Sequence, residues 1–311
     1  MIVLGIDIGG TNTELGVLNS EKGIIEVSSF KTKNCNSFDG FIKTLLENIK
    51  SLHDKYDIQC IGIGAPNFDS QSNQFRPVNF PWSDLRPFNL KSCIEDEFNI
   101  ATFVVNDANA AGLAENRFGV GKNHPSFIMI TVGTGLGGAI VINNELFDGA
   151  FGYSGEFGHT KVDQLSRKCN CGGVGCLETV VSANGIKKSY SLNMKNITGV
   201  DLQDIPTVKQ IFSLAENKND IAKQTLEFTF QMLGKKLSDF IHILNPQVVV
   251  FCGNISKSMH AYMPEMIEEC EKHLLEDFRG KVSYKVSDLL DKKMNILGPA
   301  SLALDKLELA V

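Results

Sequence analysis

Two stretches of this chain, IDIGGTNT at residues 6–13 and TVGTGLGG at 131–138, share one pattern: a β-branched strand, a glycine-rich turn and a second strand. MIVLGIDI and ELGVL flank the first turn; FIMITV and GAIVIN flank the second. An echo about 120 residues apart predicts two related halves, and 311 residues at 43% hydrophobic content can bury about two cores. Each turn alone reads either as a tight hairpin or as a phosphate cradle of backbone N–H groups and threonine hydroxyls. Their recurrence favours the cradle, with a nucleotide clamped between lobes.

The segments around the echoes are mixed α/β. Residues 38–56 carry Phe38, Phe41, Ile42, Leu45, Leu46, Ile49 and Leu52 at helical spacing, which predicts one buried stripe. CIGIGA reads as a buried strand ended by Pro66, then the long polar loop NFDSQSNQFRPVNFPWSD, a helix near 90–98 and the strand TFVV. An Ala-rich helix begins after Asn106-Asp107. Beyond the second echo come a long helix at about 220–244, the strand QVVVFC, a helix at about 261–277, the strand KVSYKV and a terminal helix. The alternation predicts an α/β protein with a cleft between domains.

Composition narrows the function. The formal charge of −6 has acids and bases interspersed and no Lys/Arg run, which argues against a nucleic-acid partner. The longest apolar runs have strand length, well short of a membrane span, and MIVLGIDIGG lacks the basic start of a signal peptide. Cys35, Cys60, Cys93, Cys252 and Cys270 are scattered and read as single buried thiols, as expected of a cytoplasmic protein.

Several motifs carry chemistry. No G-x-x-x-x-G-K-[ST] occurs. Gly133, Gly135 and Gly138 satisfy G-x-G-x-x-G, but the strand-like AIVIN follows where a dinucleotide fingerprint requires a helix. Asp7, at a strand end, is either a turn cap or an anchor for Mg²⁺ through water. Asn106 and Asp107 stand where a strand hands over to a helix. Either could cap it, or Asp107 could be the general base of a phosphoryl transfer; both readings stand at this point.

The remaining thiols cluster as His159-x9-Cys169-x-Cys171-x4-Cys176. Three thiolates and one imidazole complete a tetrahedral zinc set with no open position, the arrangement of a structural site. Glu156 and Glu178 flank it. They are solvated charges or carboxylates held rigidly to accept hydrogen bonds from sugar hydroxyls.

Taken in order, IDIGGTNT, GIGAPN, VVNDANAA, TVGTGLGG, GYSGEFGH and CNCGGVGCLET resemble the motifs of the ROK family (repressors, open reading frames, sugar kinases) over nearly the whole chain. The resemblance implies the α/β actin-like ATPase fold, two RNase H-like lobes whose central cleft closes over ATP and a hexose. The lobes are expected at residues 1–110 plus about 296–311 and at 111–295, the second with the zinc loop. Motif by motif, Asp107 corresponds to the base that takes the proton of the sugar 6-hydroxyl, and Asn106, Glu156, His159 and Glu178 to sugar ligands. Asn79, in VNFPWSD, corresponds to a sugar-contacting asparagine of glucokinase-type members, and His159 is expected to serve both zinc and sugar. Gly9, Gly10, Thr11, Thr134 and Gly135 fall in the phosphate loops beside Asp7, and Gly253 falls in the adenosine loop.

Departures from the family pattern are Asn254 for a second glycine, Asn67 after Ala-Pro, and Ala139; none is a proposed base or zinc ligand. The implied activity is an ATP- and Mg²⁺-dependent hexose 6-kinase with a structural Zn²⁺. Glucose is expected ahead of N-acetylglucosamine, N-acetylmannosamine, fructose or allose. A homodimer is expected by the same resemblance. A non-catalytic sugar sensor is the other reading, although a first strand at residue 2 leaves no room for the DNA-binding arm of the repressor branch.

Overall fold

The computed structural model describes residues 1–77, 80–82, 86–162 and 165–309. Strand β1 (Ile2–Ile8) turns into β2 (Thr13–Asn19), which pairs antiparallel with β1 and with β3 (Gly23–Phe30). Helix α1 (Phe38–Tyr56) leads to β4 (Cys60–Ala65), parallel to β1. A short hairpin, β5 (Phe68–Asp69) with β6 (Gln74–Phe75), and helix α2 (Leu90–Phe98) precede β7 (Thr102–Asn106), parallel to β4. The first sheet therefore runs β3-β2-β1-β4-β7, and α3 (Asp107–Phe118) leaves its last strand.

The second sheet follows the same plan. Strand β8 (Phe127–Val132), β9 (Leu136–Ile142) and β10 (Glu145–Leu146) are followed by α4 (Ala183–Thr198), α5 (Val208–Glu216) and α6 (Asp220–Leu244). Strand β11 (Val248–Cys252), α7 (Met263–His273), β12 (Ser283–Val286) and α8 (Met294–Glu308) complete the chain. Its order is β10-β9-β8-β11-β12, with β8, β11 and β12 parallel. The echo in sequence is thus an echo in topology: hairpin strands at one end, then two parallel strands reached through helices.

The chain divides into two compact units, Met1–Asn123 with Ala139–Ser154 and Asp288–Val311, and His124–Gly138 with Gly155–Ser287. The first is wider than residues 1–110 plus 296–311: α3 packs along α8 and brings in residues 111–123, and residues 139–154 and 288–295 join it as well. Helices α4 and α5 and the β5–β6 and β9–β10 hairpins add elements that the sequence reading did not contain. Helix α7 is shorter than residues 261–277, with 3₁₀ turns at Ser258–Tyr262 and Glu276–Phe278 on either side. Among the described residues no helix is long and apolar enough to cross a membrane.

Local chemistry explains the main packing. Ser37 caps α1 by accepting the Gly40 N–H, and Asp57 ends it in the left-handed conformation. Phe38, Phe41, Leu45, Ile49 and Leu52 of the expected stripe are buried, each worth about 1.5–3 kcal/mol of transfer free energy. On β4, a Cβ at Gly62 would lie 1.8 Å from the Pro299 carbonyl oxygen, and on β1 one at Gly5 would lie 2.5 Å from that of Ile296. Glycine at these positions lets the α8 backbone lie directly on the strands. That close approach brings Asn295 to the end of β1.

Candidate active site

In the first unit the candidate residues stand at the carboxyl ends of its parallel strands, the edge where open α/β sheets bind ligands. Asp7 of β1 is in register with Gly64 of β4, and Ala65 with Asn106 of β7. Gly9, Gly10 and Thr11 form the turn after Asp7, closed by the Gly9 N–H donating to the Asn12 carbonyl at 3.0 Å. The Asn106 side chain accepts the Ala108 N–H at 2.9 Å and caps α3. Asn106 is the N-cap residue and Asp107 the first residue of α3, so the helix start is capped whether or not Asp107 has another role.

Asp107 shares that Ala108 N–H, at 2.9 Å on Oδ1, and its residue is exposed to solvent. The protein packed around it keeps its pKa above the usual carboxylate range, against the pull of that N–H. Asp7 is perturbed further, pushed up to about 7. Burial is the main cause. The Asn295 amide, donating to Oδ2 at 3.2 Å, opposes it, and the charges of Asp107 and Glu14 add to it. Glu14 lies opposite Asp7 on β2 and is held ionised by Asn295 at 3.0 Å and Lys293 at 3.1 Å.

Asn295 and Glu14 were missed in the sequence. Asn295 is 288 residues from Asp7, in a helix with no motif to mark it. A carboxyl kept short of compensating positive charge suits a hydrated divalent cation, so Asp7 fits the Mg²⁺ anchor.

The second unit gathers the other candidates. Gly133, Thr134 and Gly135 make the β8–β9 turn, and Gly253 follows β11, whose Cys252 pairs with Thr131 of β8. Gly253 has φ +91°, and a Cβ there would lie 2.5 Å from the Val132 carbonyl oxygen. Only glycine fits both conditions. Glu178 bridges the turn and the cysteine loop: Oε2 accepts the Leu136 N–H at 3.3 Å, and Oε1 accepts from the Cys169 thiol at 3.2 Å.

The ligand atoms of His159, Cys169, Cys171 and Cys176 lie within 4.8 Å of one another. Cys169 Sγ is 3.8 Å from His159 Nδ1, and Cys171 Sγ is 3.7 Å from Cys176 Sγ. A tetrahedron with Zn–S bonds of about 2.3 Å has edges of about 3.7 Å, so the donor set fits zinc in both chemistry and size. The Gly173 N–H, with the neighbouring thiols, pulls the Cys171 thiol down to about 7, toward the thiolate a metal needs. Lys161, another residue the sequence reading passed over, donates to Cys176 Sγ at 3.0 Å. While Nδ1 of His159 faces the thiols, Nε2 lies 3.6 Å from Glu156. Asn79 lies outside the described residues.

The ROK family profile matches residues 3–306. The chain belongs to the ROK family. This ROK protein is 30% identical over 303 residues to a glucokinase of Halalkalibacterium halodurans, covering 92% of this chain and 90% of that one. It is 28% identical over 307 residues to the xylose repressor of Bacillus subtilis, covering 97% of this chain and 77% of the repressor. A crystal structure of a ROK family glucokinase from Streptomyces griseus, in complex with glucose and AMPPNP, superposes with a TM-score of 0.77 at 27% identity, over 98% of this chain and 100% of that one. With the repeated sheet order, this establishes the actin-like ATPase fold of ROK kinases.

If the cysteine loop is a zinc site, elemental analysis of the purified protein returns one zinc per chain, and Cys171→Ser loses both the metal and hexose affinity. A metal-free protein with unimpaired activity contradicts this.

Proposed function

We propose that this sugar kinase transfers the γ-phosphoryl group of ATP to the 6-hydroxyl of a hexose, D-glucose foremost. The observation that carries the reading is Asp107: first residue of a helix that Asn106 caps, reachable from solvent, raised in pKa, and close enough to Asp7 to perturb it. Asp107 accepts the proton of the sugar hydroxyl as its oxygen forms a bond to the γ-phosphorus. The bond from that phosphorus to the β–γ bridging oxygen breaks, and its electron pair leaves with ADP.

The other residues bind and orient. Glu156, Glu178, Asn106 and the Nε2 side of His159 meet the sugar hydroxyls, and Asn79 belongs to the same reading. The Gly9–Thr11 and Thr134–Gly135 turns meet the phosphates, and Gly253 the adenosine. Mg²⁺, held by Asp7 through water, would neutralise charge on the phosphates. Zinc on His159, Cys169, Cys171 and Cys176 would hold Glu178 and His159 in place without entering the reaction. Eight free cysteines support a reducing, cytoplasmic setting. The protein is further proposed to act as a homodimer.

A coupled assay of ADP release across a sugar panel tests the substrate. Glucose is expected to give the highest kcat/KM, because a site built to pair each hydroxyl discriminates strongly against a mismatched one. A higher value for fructose, allose or an N-acetylhexosamine overturns the assignment. The similarity to the xylose repressor favours a second reading, a sugar-responsive regulator without turnover. ADP release with any sugar in the panel excludes it.

A further inference from the structure

Beside the β8–β9 turn lies a cavity of about 370 Å³, whose polar side chains the proposed reaction leaves largely unused. Thr134 and Gly135 line it from the turn, Lys168 and Asn170 from the cysteine loop, and Asn184 and Lys188 from α4. All belong to the second compact unit. The Ala183 N–H donates to the Gly133 carbonyl at 2.8 Å, which ties the first turn of α4 to the glycine turn.

Lys168 and Lys188 come from separate segments, yet neither side chain makes an ion pair or hydrogen bond among the described residues. The side chains of Thr134, Asn170 and Asn184 are likewise without an internal partner there. Both lysines are exposed, and what sets them apart from other exposed lysines is that they line one cavity beside the glycine turn. Glu178 is the only acid on the cavity wall among the described residues, so the two lysines outnumber it. Two positive charges, amides and a hydroxyl facing one polar hollow fit an anion with several oxygens.

We infer that Lys168 and Lys188 bind the phosphates of the nucleotide beside the Thr134–Gly135 turn. This rests on reading that turn as a phosphate loop. An ammonium acts on phosphate as a compact point charge, so two lysines on different segments can serve oxygens along the chain without the fixed geometry arginine needs. They also stand where negative charge builds up on the departing ADP, and fixed cations there stabilise the transition state. Inorganic phosphate presents the same oxygens and is the other source of such a ligand.

Calorimetric titration of the full-length, zinc-loaded protein with ADP, adenosine and inorganic phosphate tests the assignment without relying on turnover. Lys168→Gln and Lys188→Gln are each expected to raise the Kd for ADP about tenfold and leave adenosine unchanged, while Lys188→Arg restores most of the affinity. Glutamine variants that bind ADP like the parent, or that lose adenosine in the same proportion, overturn it. Inorganic phosphate bound as tightly as ADP would make this a free-phosphate site and overturn the nucleotide assignment. A parent protein that binds no ADP removes the phosphate-loop reading and the lysine assignment together, an outcome distinct from any variant result.

Discussion

Asp107→Ala is expected to lower kcat by roughly 10³-fold while leaving the Kd for hexose within about twofold. Positioned general bases contribute about 10²- to 10⁴-fold, and phosphoryl transfer asks little else of a protein side chain on the acceptor side. The structure makes the experiment clean. Asn106 supplies the cap of α3, so removing the Asp107 carboxylate leaves the helix start intact, and the thermal midpoint should not fall. The pH profile of kcat/KM carries the second half of the prediction. The base works ionised, so activity is present above its pKa and lost as pH falls through it. Because packing raises that pKa, the acid limb should fall at higher pH than an ordinary aspartate would give. Unchanged turnover removes Asp107 from the mechanism; a fall in turnover matched by a fall in melting temperature makes its role structural.

The parts that were legible in the sequence are those whose partners lie nearby along the chain. Four metal-type ligands between residues 159 and 176 announce their proximity through spacing alone. The two glycine hairpins announced a repeat, and the sheets share one strand order. The α1 stripe is a local period of 3.6 and became its buried face. The missed features depend on long-range docking. Nothing near Asn295 marks it as the partner of Asp7, because that pairing exists only once α8 lies on Gly5 and Gly62. Helix α4 is not legible because its buried face, Gly185, Ile186, Ser189 and Tyr190, holds only two large apolar side chains over sixteen residues, too few for a clear period. Which of Asn106 and Asp107 is the N-cap residue is likewise not legible in the sequence, since both side chains can cap and the helix boundary between them is set by the fold.

At pH 8.5 and without added metal, Asp7→Asn is expected to be more stable than the parent by roughly 2 to 4 kcal/mol, and nearly inactive. The sign follows from proton binding. In the folded protein Asp7 keeps its proton up to about 7, whereas in the unfolded chain it ionises near 3.8. Between these values the folded state binds the extra proton, so stability falls as pH rises, and above about 7 the whole cost is in place. At about 1.4 kcal/mol per pH unit the undiscounted cost is slightly above 4 kcal/mol, reduced where solvent reaches the group. An asparagine still accepts the hydrogen bond from Asn295 but carries no charge to repel Asp107 and Glu14. The gain should therefore appear as a higher melting temperature at pH 8.5 and vanish near pH 4. Mg²⁺ provides an internal control, because a cation at Asp7 relieves the same strain. Adding it should raise the melting temperature of the parent at pH 8.5 and leave Asp7→Asn unmoved. A variant less stable than the parent at high pH, or an equal Mg²⁺ effect in both proteins, would show that the buried carboxyl is neither strained nor the metal anchor.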